Sequence, residues 1–197
     1  MSSLGCPKPP PGAVNIVFPQ WELSRYPREW ARQLDRFDEV WAPTRFVFEA
    51  LRGAVSRPVI HLPYPVQVNL RVFLGRKYFG LPETGFLFIF VFDFGSHVQR
   101  KNPGAVIKAF GMACAKAPHA DFHLVIKMSG HNSGPAVKPL VDRFMAEVRG
   151  GPYAQRIIIV DNVLTDIEMK NLIRCADCFV SLHRSEGLGR GLAEVPW

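Results

Sequence analysis

Glu186 and Glu194 lie eight positions apart in the stretch SLHRSEGLGRGLAEVPW, and Gly187, Gly189 and Gly191 stand between them. The stretch opens on the end of an apolar run, Cys178-Phe179-Val180-Ser181-Leu182. A strand that feeds a glycine-rich turn and then a helix sets free backbone N–H groups and a positive helix end where an anion can rest. Two carboxylates about two helical turns apart can accept hydrogen bonds from hydroxyls on two parts of one elongated ligand. A ribose and a hexose both fit that description.

Cations that suit such a ligand occur in other loops. The segment Asp93-Phe-Gly-Ser-His-Val-Gln-Arg100-Lys101-Asn102 leads from a strand into a helix. Arg100 can grip phosphate oxygens with a bidentate fork, and Lys101 can act beside it as a point charge. On spacing alone the two are equally well solvated residues ahead of a helix. Lys127 ends the run Val125-Ile126, with Ser129-Gly130 behind it. It can reach the same ligand volume, or it is an ordinary lysine at a strand end. Residues 161–164 either present backbone groups to a base or simply lead into the next helix.

The elements that must hold these residues can be read from apolar periodicity and from capping residues. Residues 14–18, 38–43 and 58–62 read as strands. Pro27 starts a helix to about Phe37, and Thr44 caps another through Leu51, stopped by Gly53. Pro63-Tyr64-Pro65 breaks regular structure and marks a domain boundary. From Phe86 onward strands alternate with helices: strand 87–92, a helix capped by Asn102 and opened by Pro103, and strand 122–128. Helix 135–148, strand 157–160, a helix begun by the capping box Thr165–Glu168, and strand 178–182 follow. Strands that are apolar throughout, each followed by a helix, indicate a parallel sheet covered on both faces. The expected fold is α/β, a Rossmann-like parallel sheet over residues 66–197. Residues 14–65 form the end of a preceding domain, and 1–13 a disordered lead-in.

Totals narrow the partners. The chain has 197 residues, 48% hydrophobic and 21% charged, which is the profile of an ordinary globular protein. With 24 Lys+Arg against 17 Asp+Glu it carries +7, which favours anionic partners such as nucleotides or, peripherally, an acidic membrane surface. No basic run interleaves with aromatics, so nucleic acid is not expected. The most apolar run, Phe86 to Phe94, is too short to span a bilayer, and the first residues lack a signal-peptide core. A cytoplasmic location, with membrane association as a variant, is the expectation. Cys175 and Cys178 have C-x-x-C spacing but end a helix and begin a strand, opposite to a redox site, so both are read as buried structural thiols. The strand-turn-helix after Phe92 has one glycine, Gly95, where a dinucleotide-binding G-x-G-x-x-G needs three.

The segment Ser185-EGLGRGLAE resembles the Glu-x7-Glu signature of the group 1 family of retaining glycosyltransferases, whose members have the two-domain GT-B fold. Further pieces agree in order: Trp21-Glu22-Leu23, Asp38-EVWAPTRF, Leu62-PYPV, Phe92-DFGSHVQRKNP, Leu124-VIK and Ala176-DCFVSLHRSEG. The resemblance runs from about Asn15 to Glu194. It implies the donor-binding half of a GT-B enzyme plus the end of its N-terminal domain. The implied activity moves a hexose, with retention, from a nucleotide-sugar to a glycan or lipid-linked acceptor. Glu194 would bind the donor's ribose, and Glu186 would face the hexose and support charge at the anomeric carbon. Arg100 and Lys101 would hold the diphosphate with Lys127 nearby, and Ser185, Gly187, Leu188 and Gly189 would bring the turn's amides to sugar and phosphate. No metal or other cofactor is implied, because cationic side chains stabilise the leaving nucleoside diphosphate.

Two departures stand out. Many relatives have Gly-Arg ahead of the lysine, whereas Gly95 is followed by Ser96 and Arg100 must substitute. The resemblance also starts late and stops in the helix that Glu194 begins, with Pro196 disfavouring its extension. The expectation is a fragment that is by itself a poor enzyme, or a nucleotide-binding module without transferase activity.

Overall fold

The computed structural model describes residues 10–68 and 70–194. It divides into two compact units, Met1–Val66 with Ser185–Gly189, and Gln67–Arg184 with Arg190–Trp197. Among the described residues no helix is long and apolar enough to cross a membrane.

The first unit holds a parallel sheet of three strands in the order β1 (Ile16–Val17), β2 (Glu39–Ala42), β3 (Val59–His61). Helices α1 (Arg28–Leu34) and α2 (Arg45–Leu51) connect them. Alternation along β2 buries Val40 and Ala42, which pack with Leu34, Val47 and Leu51 from the two helices. Thr44 caps α2 as its residue type predicts, its hydroxyl accepting from Val47 N at 3.2 Å.

The second unit is built on a parallel sheet in the order β6-β5-β4-β7. Its strands are β4 (Phe86–Asp93), β5 (Phe122–Ser129), β6 (Ile157–Val160) and β7 (Cys178–Phe179). The helices are α3 (Val98–Lys101), α4 (Pro103–Lys116), α5 (Lys138–Gly150), α6 (Asp166–Arg174) and α7 (Arg190–Ala193). Both sheet faces are covered, which is why the strands are apolar without alternation. Phe90, Phe92, Leu124 and Ile126 pack against Val106 and Phe110 of α4 and Phe144 and Val148 of α5. Leu87, Ile89 and Val125 pack on the other side against Leu172 and Ile173 of α6.

Several local expectations need correction. Asn102 does not cap α4 with its side chain. It adopts the left-handed conformation, φ 54° and ψ 46°, ending α3, while its side-chain amide donates to Leu182 O at 3.0 Å. Asparagine tolerates that conformation better than most residues. Helix α5 begins at Lys138, not at position 135. Strand β7 covers Cys178–Phe179 and not 178–182, although Val180 N still donates to Ile89 O of β4 at 2.8 Å. Cys175 and Cys178 are free thiols, half-buried rather than buried. Cys175 Sγ donates to Leu74 O at 3.3 Å, and burial pushes its thiol pKa up.

The capping box of α6 forms in full. Thr165 N and Oγ1 donate to Glu168 Oε2 at 2.8 and 2.7 Å, and Glu168 N donates to Thr165 Oγ1 at 3.3 Å. Tyr78 Oη adds a bond to Glu168 Oε1 at 2.6 Å. The Tyr78 bond, then the two from Thr165, hold the Glu168 carboxyl at about 2, below its ordinary 4.5. A depressed carboxylate lends stability that is full above the unfolded value and disappears as pH falls through the folded one. Glu168→Gln is therefore expected to flatten the acid dependence of the urea midpoint between about pH 4.5 and pH 2. Identical slopes for the two proteins would show that Glu168 is not the group responsible.

Candidate functional site

In the second unit the carboxyl ends of β4, β5 and β7 bring three loops together. The β4 loop turns immediately, Asp93 Oδ1 accepting from Gly95 N at 2.8 Å and Asp93 O from Ser96 N at 3.3 Å. It then enters α3, a single turn that carries Arg100 and Lys101 side by side, both half-buried. Arg100 Nη2 lies 3.5 Å from Ser96 Oγ, a long hydrogen bond that leans the guanidinium towards its own loop. The segment after β7 is tied to this helix through main chain, Arg184 N donating to Arg100 O at 2.8 Å. With the Asn102 bond to Leu182, two contacts fasten the cationic turn to the segment entering the glycine-rich loop.

The β5 loop presses on the same turn. Phe94 N donates to Ser129 O at 2.9 Å. Gly130 has φ +69°, and a Cβ there would collide with Asp93 Oδ1 and with the backbone nitrogen of Gly95. Only glycine meets both demands at once.

Lys127 differs from its expected presentation. Its side chain is 5% exposed, and its amine donates to Met128 O at 2.7 Å. Burial lowers its pKa, an effect opposed by the charges of Asp161 and Asp93. It thus sits inside the strand ends and is not displayed beside Arg100 and Lys101. Glu194, half-buried, follows α7 and pairs with Arg190 at 2.9 Å. Helix α7 lies on β7, where a Cβ at Gly191 would stand 3.0 Å from the Phe179 ring. With four residues described, α7 is too short to supply the expected positive helix end.

The glycine turn itself belongs to the first unit. Thr44 Oγ1, already the α2 cap, donates to Gly187 O at 2.8 Å. Gly187 is buried, and a Cβ there would strike the carbonyl oxygen of Trp21, a backbone atom with no freedom to yield. Gly189 has φ +69°. Ser185, Glu186 and Leu188 are half-buried in this turn. Thr44 was readable as a helix cap but its long-range partner Gly187 was not, and the Trp21 contact, made by main chain, leaves no side-chain signal. Among the described residues no group of three or more His, Cys, Asp or Glu could hold a metal ion.

No protein-family model and no curated protein matches the sequence. Solved structures do resemble it. A UDP-forming α,α-trehalose-phosphate synthase from Burkholderia xenovorans matches with TM-score 0.69 and 11% identity, over 91% of this chain and 50% of that one. A trehalose-6-phosphate synthase, studied with bisubstrate glycomimetics for its glycosyl transfer with retention, matches with TM-score 0.65 and 10% identity, over 85% and 44%. The pneumococcal O-GlcNAc transferase GtfA, in complex with UDP and GlcNAc, matches with TM-score 0.56 and 14% identity, over 91% and 35%. The chain therefore spans half or less of the length of these neighbours. At such identities the likeness speaks for architecture, and the chain has the Rossmann-like α/β fold of GT-B glycosyltransferases.

Proposed function

We propose that this chain carries the donor site of a glycosyltransferase that moves a hexose from a nucleotide-sugar, with retention, to a glycan or lipid-linked acceptor. The observation that carries the reading is the pair Arg100 and Lys101 on one short turn at the carboxyl end of β4, where parallel α/β sheets collect ligands. The segment after β7 bonds that turn through Arg184 N to Arg100 O, and the loop that leads into it is bonded to β5 through Phe94 N to Ser129 O. Structural neighbours that handle UDP support the choice of ligand.

In this reading Arg100 and Lys101 hold the diphosphate and neutralise charge as it departs from the sugar. Glu194 leaves its pair with Arg190 and accepts hydrogen bonds from ribose hydroxyls. Glu186 supports the positive charge that develops at the anomeric carbon. The amides of the turn from Ser185 to Gly189 complete the contacts to sugar and phosphate. Protein cations do the charge compensation, so no metal or cofactor is assigned.

Equilibrium titration of the full chain with UDP, GDP, ADP and NAD tests this. One nucleoside diphosphate should bind in preference to NAD. Glu194→Ala should weaken it about tenfold or more, the loss of a hydrogen bond to a charged group. Lys116→Ala, at the far end of α4, should leave it unchanged. Equal effects of the two substitutions, or a preference for NAD, would remove the donor assignment.

A further inference from the structure

The first unit carries a surface that its own packing does not explain. In a parallel strand-helix-strand connection the helix runs back along the sheet, so the first turns of α1 and α2 both stand at the carboxyl end of β1, β2 and β3. Packing uses one side of each helix. Helix α1 buries Ala31 and Leu34, and α2 buries Val47, Ala50 and Leu51. Trp30 and Phe46, in the first turns, are left on the water side at 45% and 40% exposure, and Leu23 in the loop ahead of α1 is 56% exposed. Apolar residues exposed singly are ordinary, whereas three at one end of a small unit are not.

Contacts join the two helix starts. The Trp30 ring packs edge-on against Trp21, with centroids 5.7 Å apart, and against Tyr26 at 6.5 Å. Trp21 in turn presses its carbonyl on Gly187, whose own carbonyl is held by Thr44, the cap of α2. Leu23, Trp30 and Phe46 thus stand around the seat of the turn that carries Glu186.

The charge at this end is mostly positive. Arg25, Arg28 and Arg45 are exposed there together with Glu29, while Glu49, one turn further along α2, is paired with Arg52 at 2.7 Å. Arginines interspersed with exposed rings suit the boundary of an anionic bilayer, where rings settle at headgroup level and guanidinium groups reach lipid phosphates. A nucleic acid would use the arginines and could stack on a ring, but would leave the Leu23 side chain in water.

We propose that this end of the first unit, through Leu23, Arg25, Arg28, Trp30, Arg45 and Phe46, docks on an anionic lipid bilayer as a peripheral contact. The proposal goes beyond the donor reading and stands without it, because vesicle binding is a property of the ligand-free chain.

Sedimentation of the full chain with vesicles tests it. The chain should bind vesicles made of equal parts phosphatidylcholine and phosphatidylglycerol and should not bind vesicles of phosphatidylcholine alone. Each arginine near an anionic surface is worth about fivefold, so Arg25→Gln, Arg28→Gln and Arg45→Gln together should weaken binding about a hundredfold. Lys108→Gln, Lys116→Gln and Arg149→Gln together remove the same charge from exposed positions of α4 and α5, and should weaken it by about threefold or less. Leu23→Ala with Phe46→Ala should weaken it about tenfold and leave the melting temperature unchanged, since neither side chain is in the core. Brominated acyl chains should quench Trp30, read as the difference in fluorescence between the unaltered chain and Trp30→Phe.

Equal losses in the two charge variants would reduce the binding to net charge and overturn the proposal, as would failure of the unaltered chain to bind the anionic vesicles. Binding that survives Leu23→Ala with Phe46→Ala undiminished, or a single-stranded oligonucleotide held by the same arginines as tightly as the vesicles, would make this a general polyanion surface and overturn it as well.

Discussion

Replacing Arg100 and Lys101 together by alanine is expected to raise the Kd for UDP about a thousandfold. Each side chain supplies charge-assisted hydrogen bonds to the diphosphate, at about 2 kcal/mol apiece, and about 4 kcal/mol corresponds to that ratio. Salt dependence should fall in parallel, because the two cations carry the Coulombic part of the attraction. The substitution leaves the scaffold intact. Three main-chain bonds hold α3, Arg100 N and Lys101 N to His97 O at 2.9 and 3.2 Å and Arg184 N to Arg100 O at 2.8 Å, and alanine keeps all three, together with the Asn102 bond to Leu182. Alanine also suits a helical turn. The melting temperature should therefore move by no more than about 2 °C, which is roughly 1 kcal/mol or less for a chain of this size. A Kd raised tenfold or less would show that the diphosphate is held elsewhere.

Gly130→Val is expected to destabilise the protein by about 3 kcal/mol. Valine at φ +69° is strained by about 1–2 kcal/mol, and its Cβ has nowhere to go between the Asp93 carboxylate and the Gly95 amide, which adds about 1–3 kcal/mol of overpacking. At about 2–4 °C per kcal/mol, the melting temperature should fall by roughly 6–12 °C. Gly80 provides the control. It has nearly the same φ, +65°, but a Cβ there would meet nothing within 4 Å. Gly80→Val should show the strain without the crowding and cost distinctly less. Equal losses in thermal melts would mean that the contact between the β4 and β5 loops is not tight.

How much of this was legible in the sequence depended on the range of the interactions. The capping box at Thr165–Glu168 was readable because its partners are three residues apart, and it forms with both bonds present. The parallel sheet was readable because covering both faces leaves an apolar run such as Phe86–Asp93 with no alternation. Asn102 was misread because its side chain goes to Leu182, eighty residues away, and not to its own helix. A lysine at a strand end is conventionally drawn in water. Nothing local to Lys127 tells that its amine folds back onto Met128 O. Gly130 and Gly187 were visible as glycines, but the backbone atoms they make room for belong to other loops.

The central claim is that the carboxyl end of β4 is a diphosphate site. A crystal structure of the full chain with UDP tests it most directly. The account predicts the diphosphate oxygens within hydrogen-bonding distance of Arg100 and Lys101, with the Glu194 carboxylate turned from Arg190 to the ribose. A diphosphate bound away from α3, with the Arg190–Glu194 pair intact, would contradict it.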